Sequence, residues 1–139
     1  MPRLAIAWLL ALTALGCSGK EPTYSVVGKV VYKGTSEPAA AGAGILFEST
    51  KEPYARAAGK IEADGSFILS TDRPDNGAIQ GEHRVSIVPM AQDGTASDLT
   101  ATLARKIDPK YFELRTSGLK FTIQPTSKNE FRIEVEKPK

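Results

Sequence analysis

One cysteine, one histidine and one tryptophan are all that 139 residues hold of these three side chains, and each scarcity excludes a class of chemistry. A single cysteine leaves no intrachain disulfide, so a folded domain must rest on its apolar core. A single histidine cannot supply a multi-histidine zinc site, and it has no imidazole partner for acid-base work. Charge of one sign is also missing: 18 basic against 16 acidic side chains give a formal net charge of +2, which is no nucleic-acid footprint. The one long uncharged apolar stretch, Leu4 to Leu15, falls short of the roughly 20 residues that a membrane span needs. No G-x-S-x-G elbow and no glycine-rich phosphate loop ending in Lys and Ser or Thr occurs.

What is present at the N-terminus is an address. Arg3 gives a positive start, the apolar run follows, and Ala14-Leu15-Gly16-Cys17 closes it with small residues. The arrangement resembles the lipobox of bacterial lipoproteins, although Ala14 stands where Leu is usual and Leu15 where a smaller residue is usual. The resemblance implies that residues 1–16 are a signal peptide and that Cys17 is diacylated and becomes the first residue of the mature chain. Ser18, where an Asp would retain the protein at the inner membrane, favours the outer membrane. The expected product is an extracytoplasmic domain held to a membrane only by its lipid, with a mature charge of +1 because Arg3 is removed.

Residues 17–23 are small and polar and contain Pro22, which predicts a short flexible tether. From Tyr24 the dominant period is two, so residues 24–137 are expected to be one all-β domain. Tyr24, Val26, Gly28, Val30 and Tyr32 share one face of the first strand; Ala43, Ile45 and Phe47 mark the second. Arg56 to Thr71 reads as a hairpin that reverses at Asp64-Gly65, with Phe67 and Leu69 returning on the inner face. His83, Val85 and Ile87 point inward on the next strand, and Leu119, Phe121, Ile123, then Phe131, Ile133, Val135, alternate near the C-terminus. Residues 90–106 lack a strand period and predict a mobile loop, in which Leu99 and Leu103 would share one face of a short helix if it docked.

V-x-G-x-V at Val26 to Val30, A-x-I-x-F at Ala43 to Phe47, D-G-S-F at Asp64 to Phe67 and G-E-H-R-V-S-I at Gly81 to Ile87, in this order, resemble a carboxypeptidase regulatory-like domain. That family is related to the transthyretin or prealbumin sandwich. The further runs Ile107 to Tyr111, Thr116 to Leu119 and Asn129 to Phe131 resemble short bacterial lipoproteins that carry it. The resemblance implies a seven-stranded Greek-key β-sandwich with a supporting or binding role, no catalytic residues and no cofactor. The related hydroxyisourate hydrolases would need several histidines.

The expected function is therefore a lipid-anchored, non-enzymatic module at the cell envelope, monomeric, whose partner is an envelope protein or a glycan. Two alternatives remain open in the residues. Exposed Tyr32, Tyr54 and Tyr111 would make a stacking platform for sugars, as in a carbohydrate-binding module. Loop carboxylates Asp72, Asp75 and Asp98 would build a hydrolase site; Asp72 and Asp75, with Asn76, would offer oxygen ligands to calcium, although the spacing of a dedicated calcium loop is missing. Asx turns explain Asp72, Asp75 and Asn76 equally well.

Overall fold

Period-two alternation needs a sheet with one dry face, and the chain supplies two such sheets that share a single core. The computed structural model describes residues 19–90 and 96–139. The expected signal peptide and Cys17 lie outside those residues. In chain order the strands are β1 (Thr23–Tyr24), β2 (Val26–Tyr32), β3 (Gly44–Ser49), β4 (Arg56–Lys60), β5 (Ser66–Ile68), β6 (Ala78–Ile79), β7 (Gly81–Val88), β8 (Leu119–Ile123) and β9 (Asn129–Val135). A helix, α1 (Ala96–Ala104), and a 3-10 turn at Pro109–Phe112 lie between β7 and β8.

One sheet has the order β5-β2-β9, the other β4-β3-β7-β8, and β1 pairs with β6. The chain is thus an all-β sandwich. Nine strands are present among the described residues. The two beyond the expected seven are the two-residue β1 and β6, too short to show a period. β2 and β9 run parallel in register from Val26↔Asn129 to Tyr32↔Val135, while the other pairs are antiparallel. Tyr24 consequently belongs to β1, and Ser25 separates it from β2.

The predicted hairpin is corrected in one respect. Its turn is there, closed by the Gly65 N–H donating to the Glu62 carbonyl at 2.9 Å, with the Ser66 N–H donating to Asp64 Oδ1 at 2.9 Å. Its two legs, however, enter different sheets: β4 pairs with β3, and β5 with β2. Alternation fixes which side chains face inward, and Ala57, Ile61, Phe67 and Leu69 are all buried as expected, but it carries no information on which neighbour a strand takes. A single bridge, Ala58↔Ser70, joins the legs through two hydrogen bonds of 2.9 Å and seals that side of the sandwich.

Phe47 on β3 stands where the two sheets meet. Its ring centroid lies 6.2 Å from Phe67 on β5 and 6.2 Å from Phe131 on β9, both in the opposite sheet, and 6.1 Å from Phe121 on β8. Gly28 makes room for this cluster. It is the cross-strand partner of both Phe67 and Phe131, and a Cβ there would stand 2.5 Å from Phe67 Cζ and 2.6 Å from the Phe131 carbonyl oxygen. The glycine of the V-x-G-x-V run is therefore a packing residue, covered by an aromatic ring in the manner of other strand glycines.

Of the loop expected at residues 90–106, residues 91–95 lie outside the described residues, and residues 96–104 are helical rather than irregular, with Leu99 and Leu103 on the helix that their spacing allowed. Leu103, Ile107 and Tyr111, spaced by four, are buried and cover the end of the sandwich where β2, β7 and β9 finish. The Ile107 N–H donates to the Leu103 carbonyl at 3.0 Å, and the Asp108 N–H to the Glu136 carbonyl at 3.0 Å, which ties the connection to the chain just past β9. Apolar burial at one residue in four was enough to order a segment that is otherwise small and polar.

Two substitutions test this packing. Phe67→Ala should lower stability by about 3 to 5 kcal/mol, the range for a fully buried Phe. Gly28→Ala should cost about 1 to 3 kcal/mol through overpacking, and less when Phe67 is already Ala. Urea denaturation of the three variants measures both, and an unchanged midpoint for Phe67→Ala would mean a register one residue off.

Candidate functional site

The loops at the β1 end of the sandwich carry three of the four predicted contact residues. Asp72 and Asp75 lie on the connection from β5 to β6, and Tyr54 on the connection from β3 to β4. Pro53, Ala55, Thr71, Asp72 and Ile79 line a largely apolar cleft of about 280 Å³ there, with Lys20 and Thr23 at its rim. Tyr54 is 48% exposed with φ of 57°, the left-handed region in which a bulky side chain is uncommon.

The Asp72 carboxylate is committed to Lys20 and Asn76, whereas Asp75 enters the loop's bonding through its backbone N–H. Asp72 Oδ2 accepts from Lys20 Nζ at 3.0 Å and Oδ1 from Asn76 Nδ2 at 2.6 Å. The Lys20 ammonium, then the Asn76 amide, hold the Asp72 carboxyl below the usual carboxylate range. The Asp75 N–H donates to Ser70 Oγ at 2.8 Å, and Asn76 Oδ1 accepts from the Thr71 N–H at 2.8 Å. These are the bonds of side chains that shape a turn. Among the described residues no group of three or more His, Cys, Asp or Glu side chains is placed to hold a metal ion.

Tyr111 is a correction. Expected on the surface, it is 4% exposed, and its hydroxyl oxygen accepts from the Glu136 N–H at 3.1 Å at the opposite end of the strands. The 3-10 turn places it there: Asp108 caps the turn by accepting from the Lys110 N–H at 2.9 Å, Pro109 starts it, and the ring is carried inward. Tyr32, half-buried, donates from its hydroxyl to the Lys106 carbonyl at 3.1 Å, and burial raises its pKa. Asp98 is exposed on α1, also at that far end. Neither a three-tyrosine platform nor a three-carboxylate cluster is assembled.

His83 faces inward as its alternation predicts. It is 1% exposed, its ring centroid lies 6.2 Å from that of Phe47, and Nδ1 is 3.0 Å from the Gly81 carbonyl oxygen. Burial pushes its pKa below the ordinary 6.5, against the smaller upward pull of that carbonyl. In the fold the imidazole is therefore neutral at a pH where the unfolded chain already binds a proton. Stability from this group is complete above the unfolded value and is lost as the pH falls through 6.5 toward the lower folded value. The wild type should lose stability as the pH falls through 6.5, and His83→Gln should flatten that dependence, read as the urea midpoint against pH.

No family model matches the chain, and no curated protein does. Among solved structures, a DUF3823 family protein from Parabacteroides merdae is similar in fold, with a TM-score of 0.46 over 85% of this chain at 14% sequence identity. The chain spans 48% of that protein's resolved length.

Proposed function

We propose that this protein is a lipid-anchored, non-enzymatic β-sandwich that serves as a binding or structural module at the bacterial cell envelope, with the lipid on Cys17. The observation that carries the reading is where the folded body begins. Thr23 and Tyr24 are paired with Ile79 and Ala78, and the backbone of Gly77 packs directly on the Tyr24 carbonyl, so the chain is fixed six residues after Cys17. Six residues extend at most about 20 Å. An acyl group on Cys17 would therefore hold the β1 end, with its Tyr54 and Asp72 loops, close to the bilayer, and would turn the α1 end toward the surroundings.

The same reading takes the sandwich as a prealbumin-like Greek key of the carboxypeptidase regulatory-like kind. Its support is that seven strands divide three and four between the sheets and that the chain changes sheet after β2, β4, β5 and β8. Ser18 favours the outer membrane. The glycan-binding alternative keeps Tyr54 but loses Tyr111 to the core, and the hydrolase alternative has its carboxylates at opposite ends of the strands.

Mass spectrometry of the protein from envelope fractions tests the anchor. The mature chain should start at an acylated Cys17, and Cys17→Ser should accumulate as the uncleaved precursor, because a hydroxyl does not replace the thiolate in forming the thioether. A mature chain that begins elsewhere, or Cys17 free of lipid, contradicts the reading.

A further inference from the structure

We propose that the flank of the four-stranded sheet binds a phosphate ester. Arg84 on β7, Lys120 on β8 and Arg115 line a cleft of about 230 Å³, floored by Leu114, Gly118 and Leu119, with no acidic side chain among its lining residues. Arg84 and Lys120 are direct cross-strand partners, a like-charge pairing that is unfavourable by itself. Glu48, the partner of Arg84 on its other side, is taken by Arg56 at 2.6 Å. Among the described residues none of the three cations of the cleft forms an ion pair. The Arg84 Nε–H is buried without a hydrogen-bond partner, where nearly all buried donors have one.

An anion in the cleft would offset the like-charge pairing of Arg84 with Lys120 and give the three cations the counter-charge that no side chain supplies. Three cations brought from two strands and the preceding loop match a group with more than two acceptor oxygens. A tetrahedral phosphate offers three or four, whereas a carboxylate has only two and is satisfied by a single guanidinium fork. The half-buried Leu114 and Leu119 beside them give an apolar seat for the organic part of an ester. The site stands whether or not Cys17 carries lipid, so it goes beyond the proposed function and fails separately from it.

The full-length protein in non-ionic detergent is titrated with glycerol 3-phosphate and, in parallel, with acetate, at a fixed ionic strength of roughly 150 mM to screen diffuse charge effects. Amide shifts should saturate around Arg84, Arg115 and Lys120 with glycerol 3-phosphate. Arg115→Gln and Lys120→Gln, both at exposed positions, should each weaken binding about tenfold, the loss of one charge-assisted contact. Titration of the same protein with short-chain phosphatidylglycerol, with and without both glutamines, separates the sources. Binding of short-chain phosphatidylglycerol that depends on Arg115 and Lys120 and is at least as tight as that of glycerol 3-phosphate assigns the phosphate to a lipid headgroup, and saturation by glycerol 3-phosphate with weaker binding of the lipid assigns it to a soluble ester. Acetate binding as tightly as glycerol 3-phosphate, or titrations unchanged in the variants, overturns the proposal.

Discussion

The contact of Phe47 with Phe67 and Phe131 across the gap between the sheets is the constraint on which the remaining architecture depends. Two sheets in this arrangement share no continuous ladder except the Ala58↔Ser70 bridge, so side chains must hold them in register. Gly28 leaves the space on β2 that the Phe67 ring occupies, and the ring centroid then stands 6.2 Å from that of Phe47. Because β2 is the central strand of its sheet, the same close approach positions β5 on one side and the parallel β9 on the other.

The two ends of the sandwich are closed in different ways. At the β1 end the loops are held by polar bonds among Ser70, Thr71, Asp72, Asp75 and Asn76, most of them exposed to solvent. At the other end Leu103, Ile107 and Tyr111 close the core with apolar area, reinforced by Lys110, which pairs with Glu136 at 2.8 Å. That ion pair is half-exposed and adds little by itself, so the burial of the three apolar side chains accounts for the order of this end.

Much of the core was legible in the sequence because strand periodicity reports directly on facing. Ala43, Ile45, Phe47, Phe67, Leu69, His83, Val85, Ile87, Ile133 and Val135 are buried as their alternation predicts. Less legible was anything that depends on the partner of an element. β4 and β5 look like the legs of one hairpin, yet they serve two sheets, and Val31, on the outward face of β2, is fully buried although its alternation places it outside the core. The four-residue spacing of Leu99, Leu103, Ile107 and Tyr111 was the available signal for α1 and for the burial of Tyr111, but it is diluted by Thr, Ala and charged residues. Of the candidate site, the turn-forming role of Asp72 and Asn76 could be read locally. The meeting of Arg84 with Arg115 and Lys120 could not, since the residues lie some thirty positions apart and only strand pairing joins them.

The measurement that tests the central claim most directly is a double-mutant cycle between Phe47→Leu and Phe67→Leu, read by urea denaturation. Leucine keeps each site apolar and removes the ring contact. If the two rings couple the sheets, the cycle should return an interaction of about 0.5 to 1.5 kcal/mol, the range for an aromatic pair. Additivity within about 0.3 kcal/mol would mean that the two phenylalanines stabilise their own sheets independently, and that something other than this contact holds the sandwich together.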